Sequence, residues 1–320
     1  MTGREASVET GISALVCTRN RPALLARCLG SLTRLRPLPL EVIVVDQSDG
    51  DAAARIVEEA LPGLPGLRHL PTETRGLSRA RNAGIQAARG EIVAFTDDDC
   101  LARPEWIGRV ALAFERSPDV AAVTGGSLPD VSEEADPRIL AAATWHPRET
   151  VLYRRPTNPG IVGGGFNLSI RKRWAEKVGM FDPDLGPGGL FRGADDTDFI
   201  HRILRAGGTI LYDPQVVVSH LPWRDDETQT GVEFEYGHGI SAWALKWARK
   251  GDFFPAWIAL KVLASQGRRA VGGSLRGDRA AARTGRAYLS GLGRGTAAWL
   301  FSGRGDGRRA GSRSGVRPHA

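Results

Sequence analysis

Two short acidic segments contain the residues of this 320-residue chain that are best suited to chemistry. In the first, Asp97, Asp98 and Asp99 stand side by side directly after a strand-like run. Three adjacent carboxylates repel one another unless water or a cation neutralises them. Carboxylates suit Mg²⁺ or Mn²⁺, which complete their coordination with water and phosphate oxygens. The segment therefore predicts a divalent-cation site that would hold a diphosphate, with Asp99 as its best single ligand.

The second acidic segment, Asp195-Asp196-Thr197-Asp198, opens a predicted helix. The helix macrodipole stabilises negative charge at this end, so it should lower the pKa of a carboxylate there and keep it ionised as a base. A displacement at a sugar carbon with inversion needs one carboxylate to take the proton of the incoming hydroxyl. It also needs a cation to stabilise the departing phosphate. Two acidic segments on different loops fit these roles, although a solvated loop or a capped helix start is the structural alternative for each.

The elements that must position these segments follow an alternating pattern. Strand-like runs at 12–17, 40–46, 67–73 and 90–99 alternate with helical spacing, which predicts βαβ units and a doubly wound sheet. Ligands of such sheets bind outside the carboxyl ends of the strands. Polar clusters fall at three of these ends, at 18–20, 46–49 and 97–99. No GxGxxG follows the first strand and no GxxxxGK[ST] occurs, which argues against an ordinary dinucleotide site and a P-loop.

The second half of the chain is less regular. Residues 127–160 are rich in Pro and charge and predict an excursion from the sheet. A Gly-rich turn then precedes a short strand at 166–170, and residues 209–220 read as a strand pair that ends at His220. From Glu233 onward the pattern is helical.

Six segments resemble family 2 glycosyltransferases of the GT-A fold, in the order seen in that family. They are "VCTRNRP", "VIVVDQSDGD", "GLSRARNAGI", "FTDDDC", "GGGFNLSIRKRW" and "GADDTDF". The resemblance covers about residues 10–240. It implies an α/β, Rossmann-like GT-A fold with a mixed, mostly parallel sheet flanked by helices, followed by a C-terminal helical extension. It also implies inverting, Mn²⁺- or Mg²⁺-dependent transfer of a sugar from a nucleotide-diphosphate sugar to an acceptor hydroxyl.

The resemblance further assigns roles where the motifs match. Asp196 would be the general base, and Asp99 and His220 would hold the metal. The nucleotide-sugar contacts would be Thr18, Arg19, Asp46, Arg75 and Asp98, and the acceptor side would include Asn167 and Asp195. Two positions depart from the family pattern: Asp195 replaces the usual glutamate, and Arg19 replaces a tyrosine that could stack on the base. Arginine also stacks on a π face.

The same interpretation divides the chain into five parts. They are a flexible N-terminus (1–10), a nucleotide-sugar-binding half (11–125), an acceptor-side half (126–232), a helical extension (233–303) and a basic disordered tail (304–320). The acceptor stays open between a glycan, a lipid-linked sugar and a small molecule. A catalytically degenerate nucleotide-sugar-binding protein, recruited by its basic end, is the alternative function.

Charge is unevenly distributed along the chain, whose net charge is +7. Residues 266–320 hold twelve Arg against two Asp, so this end is strongly basic. Two interpretations remain open for it: a solvated, partly disordered tail, or peripheral attachment to an anionic membrane. The apolar anchors for attachment would be Leu275, Tyr288, Leu289, Leu292, Trp299, Leu300 and Phe301.

The composition also bounds partners and location. The basic end lacks interleaved aromatics and any recognised module, so we expect no nucleic-acid partner. No run of eighteen apolar residues and no signal-peptide core occur, and the three cysteines form no CxxC pair. We therefore expect a cytoplasmic protein, with peripheral contact to the inner face of the cell membrane as the open alternative.

Overall fold

The computed structural model describes residues 11–130, 146–221 and 224–303. The predicted flexible N-terminus (1–10), the predicted disordered tail (304–320) and part of the predicted excursion lie outside the described residues. The chain divides into two compact units, one reaching to Val232 and the other beginning at Glu233.

The first unit is built on one mixed sheet, whose strand order is β3-β2-β1-β4-β8-β6-β9-β5 within the described residues, with β7 paired to β9. The strands are β1 (Ile12–Thr18), β2 (Glu41–Asp46), β3 (Leu67–Pro71), β4 (Ile92–Asp97), β5 (Cys100–Ala102), β6 (Ala122–Pro129), β7 (Val151–Tyr153), β8 (Asn167–Arg171) and β9 (Ile210–His220). The helices of this unit are α1 (Pro22–Leu32), α2 (Ala52–Ala60), α3 (Leu77–Ala87), α4 (Trp106–Arg116), α5 (Lys172–Lys177) and α6 (Asp195–Arg205). The chain then continues into α7 (Asp226–Ala248), α8 (Phe254–Arg276) and α9 (Arg279–Phe301).

Helices cover both faces of the sheet, which confirms the predicted α/β class. All six residues of β2 are buried, as expected for a parallel strand with apolar layers on either side. One core cluster joins the sheet to α1, α2 and α4, and the other joins it to α3, α5 and α6. The parallel register pairs Thr18 with Asp46 and Cys17 with Asp97, so three polar strand ends meet at one edge.

The later strands differ from the sequence prediction. The region read as an excursion contains the end of β6 and the short strand β7. The predicted strand pair is one strand, β9, whose register against β6 jumps between the pairs Gly125–Asp213 and Gly126–Val217. Three residues of β9 are thereby left over, and the proline among them, Pro214, has no N–H to donate to a ladder. The sequence predicts two strands here because a proline normally ends a central strand.

The second unit contains helical residues from α7, α8 and α9. Gly277, in the left-handed conformation, ends α8, and Asp278 caps α9 through a hydrogen bond from the backbone N–H of Ala281 at 2.9 Å. Close approaches of Gly273 to Ala282 and of Gly285 to Ala270 make α8 and α9 antiparallel neighbours. The predicted helical extension exists, and its first helix already begins at Asp226. Among the described helices, none is both long and apolar enough to cross a membrane.

Gly125 marks the place where β6 and β9 approach most closely, because a Cβ there would overlap the backbone oxygen of Val216. We expect Gly125→Ala to lower the free energy of unfolding by about 1–3 kcal/mol, since the strand must move to admit the methyl group. Gly30→Ala in α1 is the matched control, because no heavy atom lies within 4 Å of its Cβ position. Urea unfolding compares them, and equal stability of Gly125→Ala and wild type would contradict this close packing.

Candidate active site

The carboxyl end of β4 presents Asp98 and Asp99, both almost fully buried. Thr18, at the end of the adjacent strand β1, donates its hydroxyl to Oδ2 of Asp98 at 2.8 Å. Arg21 donates Nη1 to Oδ1 of Asp98 at 3.2 Å and lies 3.7 Å from Oδ2 of Asp99. The structure therefore brings Thr18 and Asp98 together, and their contacts with a nucleotide or ribose stay predictions.

His220 joins this cluster from the end of β9. The short strand β5 pairs antiparallel with β9 and places Cys100 opposite His220. Nε2 of His220 lies 3.6 Å from Oδ1 of Asp99, and the ligand atoms of Asp99, Cys100 and His220 all lie within 4.8 Å of one another. Burial raises the pKa of Cys100 well above its usual range, so its thiol stays neutral and is a poor ligand for a hard cation. Asp99 and His220 are the better metal-binding pair.

Arg81, on α3, connects the two acidic segments. Its side chain is buried, with Nη2 3.1 Å from Oδ1 of Asp97 and Nη1 2.6 Å from Oδ2 of Asp195. Asp97 ends β4 and Asp195 begins α6, so a single guanidinium ties the strand end to the helix start. A Cβ at Gly165 would lie 2.7 Å from both terminal nitrogens of Arg81, and a Cβ at Gly186 would lie 2.7 Å from the carboxyl carbon of Asp195. Only residues without a side chain leave room for this ion pair.

Asp196 lies beside this bridge but in a different environment. It is half-buried rather than buried, and its Oδ2 accepts a hydrogen bond from the backbone N–H of Gly165 at 2.9 Å. Its Oδ1 accepts from the N–H of Thr197 at 2.7 Å. The carboxylate of Asp196 is therefore fixed by two backbone donors and remains partly accessible to solvent, as a general base requires.

Burial governs the pKa values of the acidic groups at this edge. It raises the pKa of Asp98 to about 7 and the pKa of Asp97 above its ordinary value, although Arg21 and Arg81 oppose the shifts. Burial also raises the pKa of Asp195 to about 6, against the effect of Arg81. The expectation that the helix dipole lowers the pKa is therefore wrong at Asp195, where desolvation outweighs it.

The raised pKa values of these acidic groups indicate whether the site would bind a cation. The carboxylates of Asp97, Asp98 and Asp99 outnumber the arginines placed against them, and their mutual repulsion adds to the cost of burial. A divalent cation would supply the missing positive charge. The carboxylate oxygens of Asp99 suit Mn²⁺ or Mg²⁺, and the imidazole of His220 would suit the softer Mn²⁺ better than Mg²⁺. The residues present therefore fit the predicted metal.

The loops that follow β1, β2 and β3 are tied together by Asp49. Its Oδ2 accepts from Nδ2 of Asn20 at 2.7 Å, and its backbone N–H donates to Oδ1 of Asn20 at 2.9 Å. Arg75 donates to the other oxygen of Asp49 and to the carbonyl of Gln47. The predicted nucleotide contact Arg75 thus holds neighbouring loops in place, at the edge where Arg19 is exposed.

Two further predicted residues have internal partners. Asp46 is buried, with Oδ2 3.0 Å from Nε2 of His69 and Oδ1 accepting from the N–H of Ser48 at 2.8 Å. Asn167 is buried on β8, where its amide accepts from Nε1 of Trp106 at 2.9 Å and donates to the carbonyls of Gly126 and Val216. Its amide therefore joins β8 to β6, β9 and α4, and its contact with an acceptor remains a prediction.

Sequence reasoning missed Arg21, Arg81 and Gly165. Arg81 and Gly165 stand inside two of the quoted segments, "GLSRARNAGI" and "GGGFNLSIRKRW", and Arg21 stands in "VCTRNRP". Nothing in the local pattern separates Arg81 from Arg79, which donates to the backbone carbonyls of Arg75 and Pro183 instead. The excess of carboxylates was the available signal, because buried acids need buried cations.

Comparison with known proteins gives the family. The sequence profile described as "Glycosyl transferase family 2" matches residues 13–179, more than half of the chain. The chain belongs to glycosyl transferase family 2. The succinoglycan biosynthesis protein ExoM of Rhizobium meliloti (strain 1021) is 28% identical over 273 residues, which cover 79% of this chain and 85% of ExoM. The protein is therefore a glycosyltransferase.

Solved structures show the same fold for this family 2 glycosyltransferase. The mannosyltransferase PcManGT from Pyrobaculum calidifontis, in complex with GDP-Man and Mn²⁺, superimposes with a TM-score of 0.56 at 18% identity. That match covers 96% of this chain and 80% of PcManGT. GalNAc-T7 with UDP, GalNAc and Mn²⁺ superimposes with a TM-score of 0.52 at 19% identity, covering 73% of this chain and 48% of GalNAc-T7. The predicted GT-A fold is confirmed.

Arg81→Gln tests the bridge. Loss of the cation leaves Asp195 buried without its partner and also removes the partner of Asp97, whose side chain is 31% exposed, so we expect the free energy of unfolding at pH 7.5 to fall by about 3–5 kcal/mol. Arg79→Gln, two residues away, is the matched control and should cost less than about 1 kcal/mol because Arg79 meets only backbone carbonyls. Urea unfolding of both variants with EDTA present measures the difference.

The loss of stability in Arg81→Gln should depend on pH. Removing Arg81 raises the pKa values of Asp97 and Asp195 further, because its charge opposes the effect of burial in wild type. The folded variant then takes up protons more readily than folded wild type, so its deficit should shrink as the pH falls from 7.5 to about 4.5. A deficit that is constant with pH would show that lost packing, and not the unpaired carboxylates, causes the destabilisation.

Proposed function

We propose that this glycosyltransferase is an inverting, metal-dependent enzyme that moves a sugar from a nucleotide-diphosphate sugar to an acceptor hydroxyl, with Asp196 as the general base. One observation carries the proposal. Two acidic groups adjacent in sequence have opposite environments: Asp195 is buried against Arg81, and Asp196 is half-exposed and held by the N–H of Gly165. The first anchors the helix start to the metal-binding edge, and the second is available to a substrate.

The proposed reaction follows from these different roles of Asp195 and Asp196. The acceptor oxygen attacks the anomeric carbon while its proton passes to the carboxylate of Asp196. The bond between that carbon and the diphosphate oxygen breaks on the opposite face, and its electron pair leaves with the nucleoside diphosphate. One attack from behind inverts the configuration. The protonated Asp196 then returns its proton to solvent through its exposed side.

The other residues hold the donor. Asp99 and His220 would bind the divalent cation, which when bound supplies positive charge against the diphosphate and its developing negative charge. Arg21 and Thr18 fix the carboxylate of Asp98 beside them. The hydrogen bonds that join Asn20, Asp49 and Arg75 would shape the part of the site that binds the nucleotide. Arg19 offers a planar cation there that could stack on the base or bind phosphate.

Related proteins support the substrate class. PcManGT was solved with GDP-Man and Mn²⁺, and GalNAc-T7 with UDP, GalNAc and Mn²⁺. The name of ExoM places that protein in succinoglycan biosynthesis, which supports a role in polysaccharide biosynthesis and favours a glycan acceptor. The alternative of a degenerate binding protein gains no support, because Asp99, His220 and Asp196 are all present. Cytoplasmic location stays a prediction.

Asp196→Asn tests the base. The substitution keeps the shape of the side chain and removes its basicity, so transfer should fall by about 10²–10⁴-fold while donor binding is retained. Asp198→Asn is the control in the same helical turn, because Asp198 is buried against Arg202 at 2.7 Å and should affect stability more than turnover. Transfer to a hydroxyl acceptor and isothermal titration with donor give the two quantities. Unchanged transfer in Asp196→Asn would place the base elsewhere.

Asp99→Asn tests the cation. Weaker metal binding should reduce the shift in melting temperature that Mn²⁺ and a nucleoside diphosphate produce together, and transfer should become undetectable. Asp51→Asn is the control, since the side chain of Asp51 is 78% exposed and pairs with Arg55 in the next helical turn. A panel of UDP, GDP and dTDP with and without Mn²⁺ also identifies the nucleotide. Full wild-type turnover in EDTA would refute metal dependence.

A further inference from the structure

Helix α8 exposes a continuous apolar face. The stripe begins at the residue that caps the helix, and its members follow one another at intervals of three, four or seven, which places them on one side. We define it as Phe253, Trp257, Leu260, Ala264, Val271 and Leu275. Leu260 and Val271 are each 62% exposed and Leu275 is 83% exposed. Such a row of large apolar groups on a surface helix marks an interaction site.

The opposite face of α8 is already occupied. Pro255, Ile258, Ala270 and Gly273 are buried, and the last two meet α9 at close range. The stripe therefore cannot be the core-facing side of the helix. Nothing in the transfer reaction at the sheet edge uses it either, because all the residues placed in that site lie in the first unit.

The charge around the stripe is strongly positive. Residues 253–303 contain eight Lys and Arg but one acid, Asp278, whose carboxylate caps α9. Lys261 and Arg268, seven residues apart, run along one border of the stripe. Nζ of Lys261 lies 3.5 Å from the centroid of the Trp257 ring, so its aliphatic stem follows the apolar face. An apolar stripe with cations along its border favours a binding partner that offers an apolar surface with negative charge at its boundary.

We propose that α8 lies on an anionic lipid bilayer, with the stripe facing the acyl chains and Lys261 and Arg268 reaching the headgroups. Aromatic rings such as Phe253 and Trp257 suit the level of the headgroups, and a cationic amphipathic helix of this kind lies in the interface. A second copy of the chain fits less well, because two stripes face to face would bring their border cations together. The helix is too polar to cross the membrane.

This surface overlaps in part with the one expected from the sequence. Tyr288, Leu292 and Trp299, three of the anchors predicted between residues 266 and 320, are buried in the helical unit. They pack inside and cannot reach lipid. Three other predicted anchors, Leu275, Leu300 and Phe301, are exposed, and the stripe on α8 adds further exposed residues that lie mostly upstream of the predicted segment.

Liposome co-sedimentation of the full chain tests the proposal. Vesicles of phosphatidylcholine alone are compared with vesicles containing 30% phosphatidylglycerol, at low and high salt. We expect binding to the anionic vesicles only, with weakening at high salt. Lys261→Gln with Arg268→Gln should weaken binding on the order of 30-fold, since each cation near the surface contributes about 1 kcal/mol. Leu260→Ser with Val271→Ser should weaken it at least tenfold through lost apolar contact.

Matched variants separate this surface from overall charge. Arg34→Gln with Arg116→Gln removes two exposed cations from the first unit and should leave binding nearly unchanged. Equal losses in the two cation pairs, equal binding to both vesicle types, or full binding by the serine variant would each overturn the proposal. A dimer in solution that Leu260→Ser with Val271→Ser converts to a monomer would assign the stripe to a second copy. Unchanged transfer to a soluble acceptor shows that the variants fold, and it keeps this test separate from that of the reaction.

Discussion

The candidate active edge of this glycosyltransferase depends on one buried guanidinium. Arg81 neutralises Asp97 at the end of β4 and Asp195 at the start of α6, two elements about a hundred residues apart in sequence. Without that cation, Asp195 could not be buried in charged form at acceptable cost, and the half-buried Asp97 would lose the positive charge that opposes its repulsion by Asp99. The bridge fixes where α6 begins relative to the sheet. The position of Asp196, one residue further, follows from it, as does the approach of the glycine loop that donates to Asp196.

Asp195 and Asp196 are adjacent in sequence but have different surroundings. The start of α6 can therefore hold a structural ion pair at Asp195 beside the proposed general base, Asp196. Desolvation raises the pKa of Asp195 to about 6, and a hydrogen bond at 2.6 Å commits its carboxylate to Arg81. The next residue, Asp196, turns about 100° around the helix and is only half-buried. A shorter side chain than the family's glutamate suffices at Asp195 because Gly186 leaves space for it to meet Arg81 closely.

The sequence predicts the parts of this protein that depend on local pattern. Buried runs ending in Asp46 and Asp97 indicate parallel strands, and the polar residues after them indicate the edge that binds a ligand. Arg81, β7 and the single strand β9 escape prediction because each depends on partners distant in sequence. Pro214 looks like a strand break, and only the pairing with β6 shows that the strand continues past it. Likewise, the helical spacing of α8 reveals an apolar face, but only the packing of α9 shows which face is covered.

The contact between Gly165 and Arg81 has a consequence for natural variation. Any side chain at position 165 would collide with the guanidinium, while a shorter residue at position 81 would leave the buried Asp195 and the half-buried Asp97 without a cation. Neither position can change first without loss, so relatives that keep this bridge should inherit the two residues as a unit. Amino-acid substitutions at this edge are therefore restricted. Changes that adapt the protein to new donors or acceptors must occur in loops that do not contact Arg81 or Gly165.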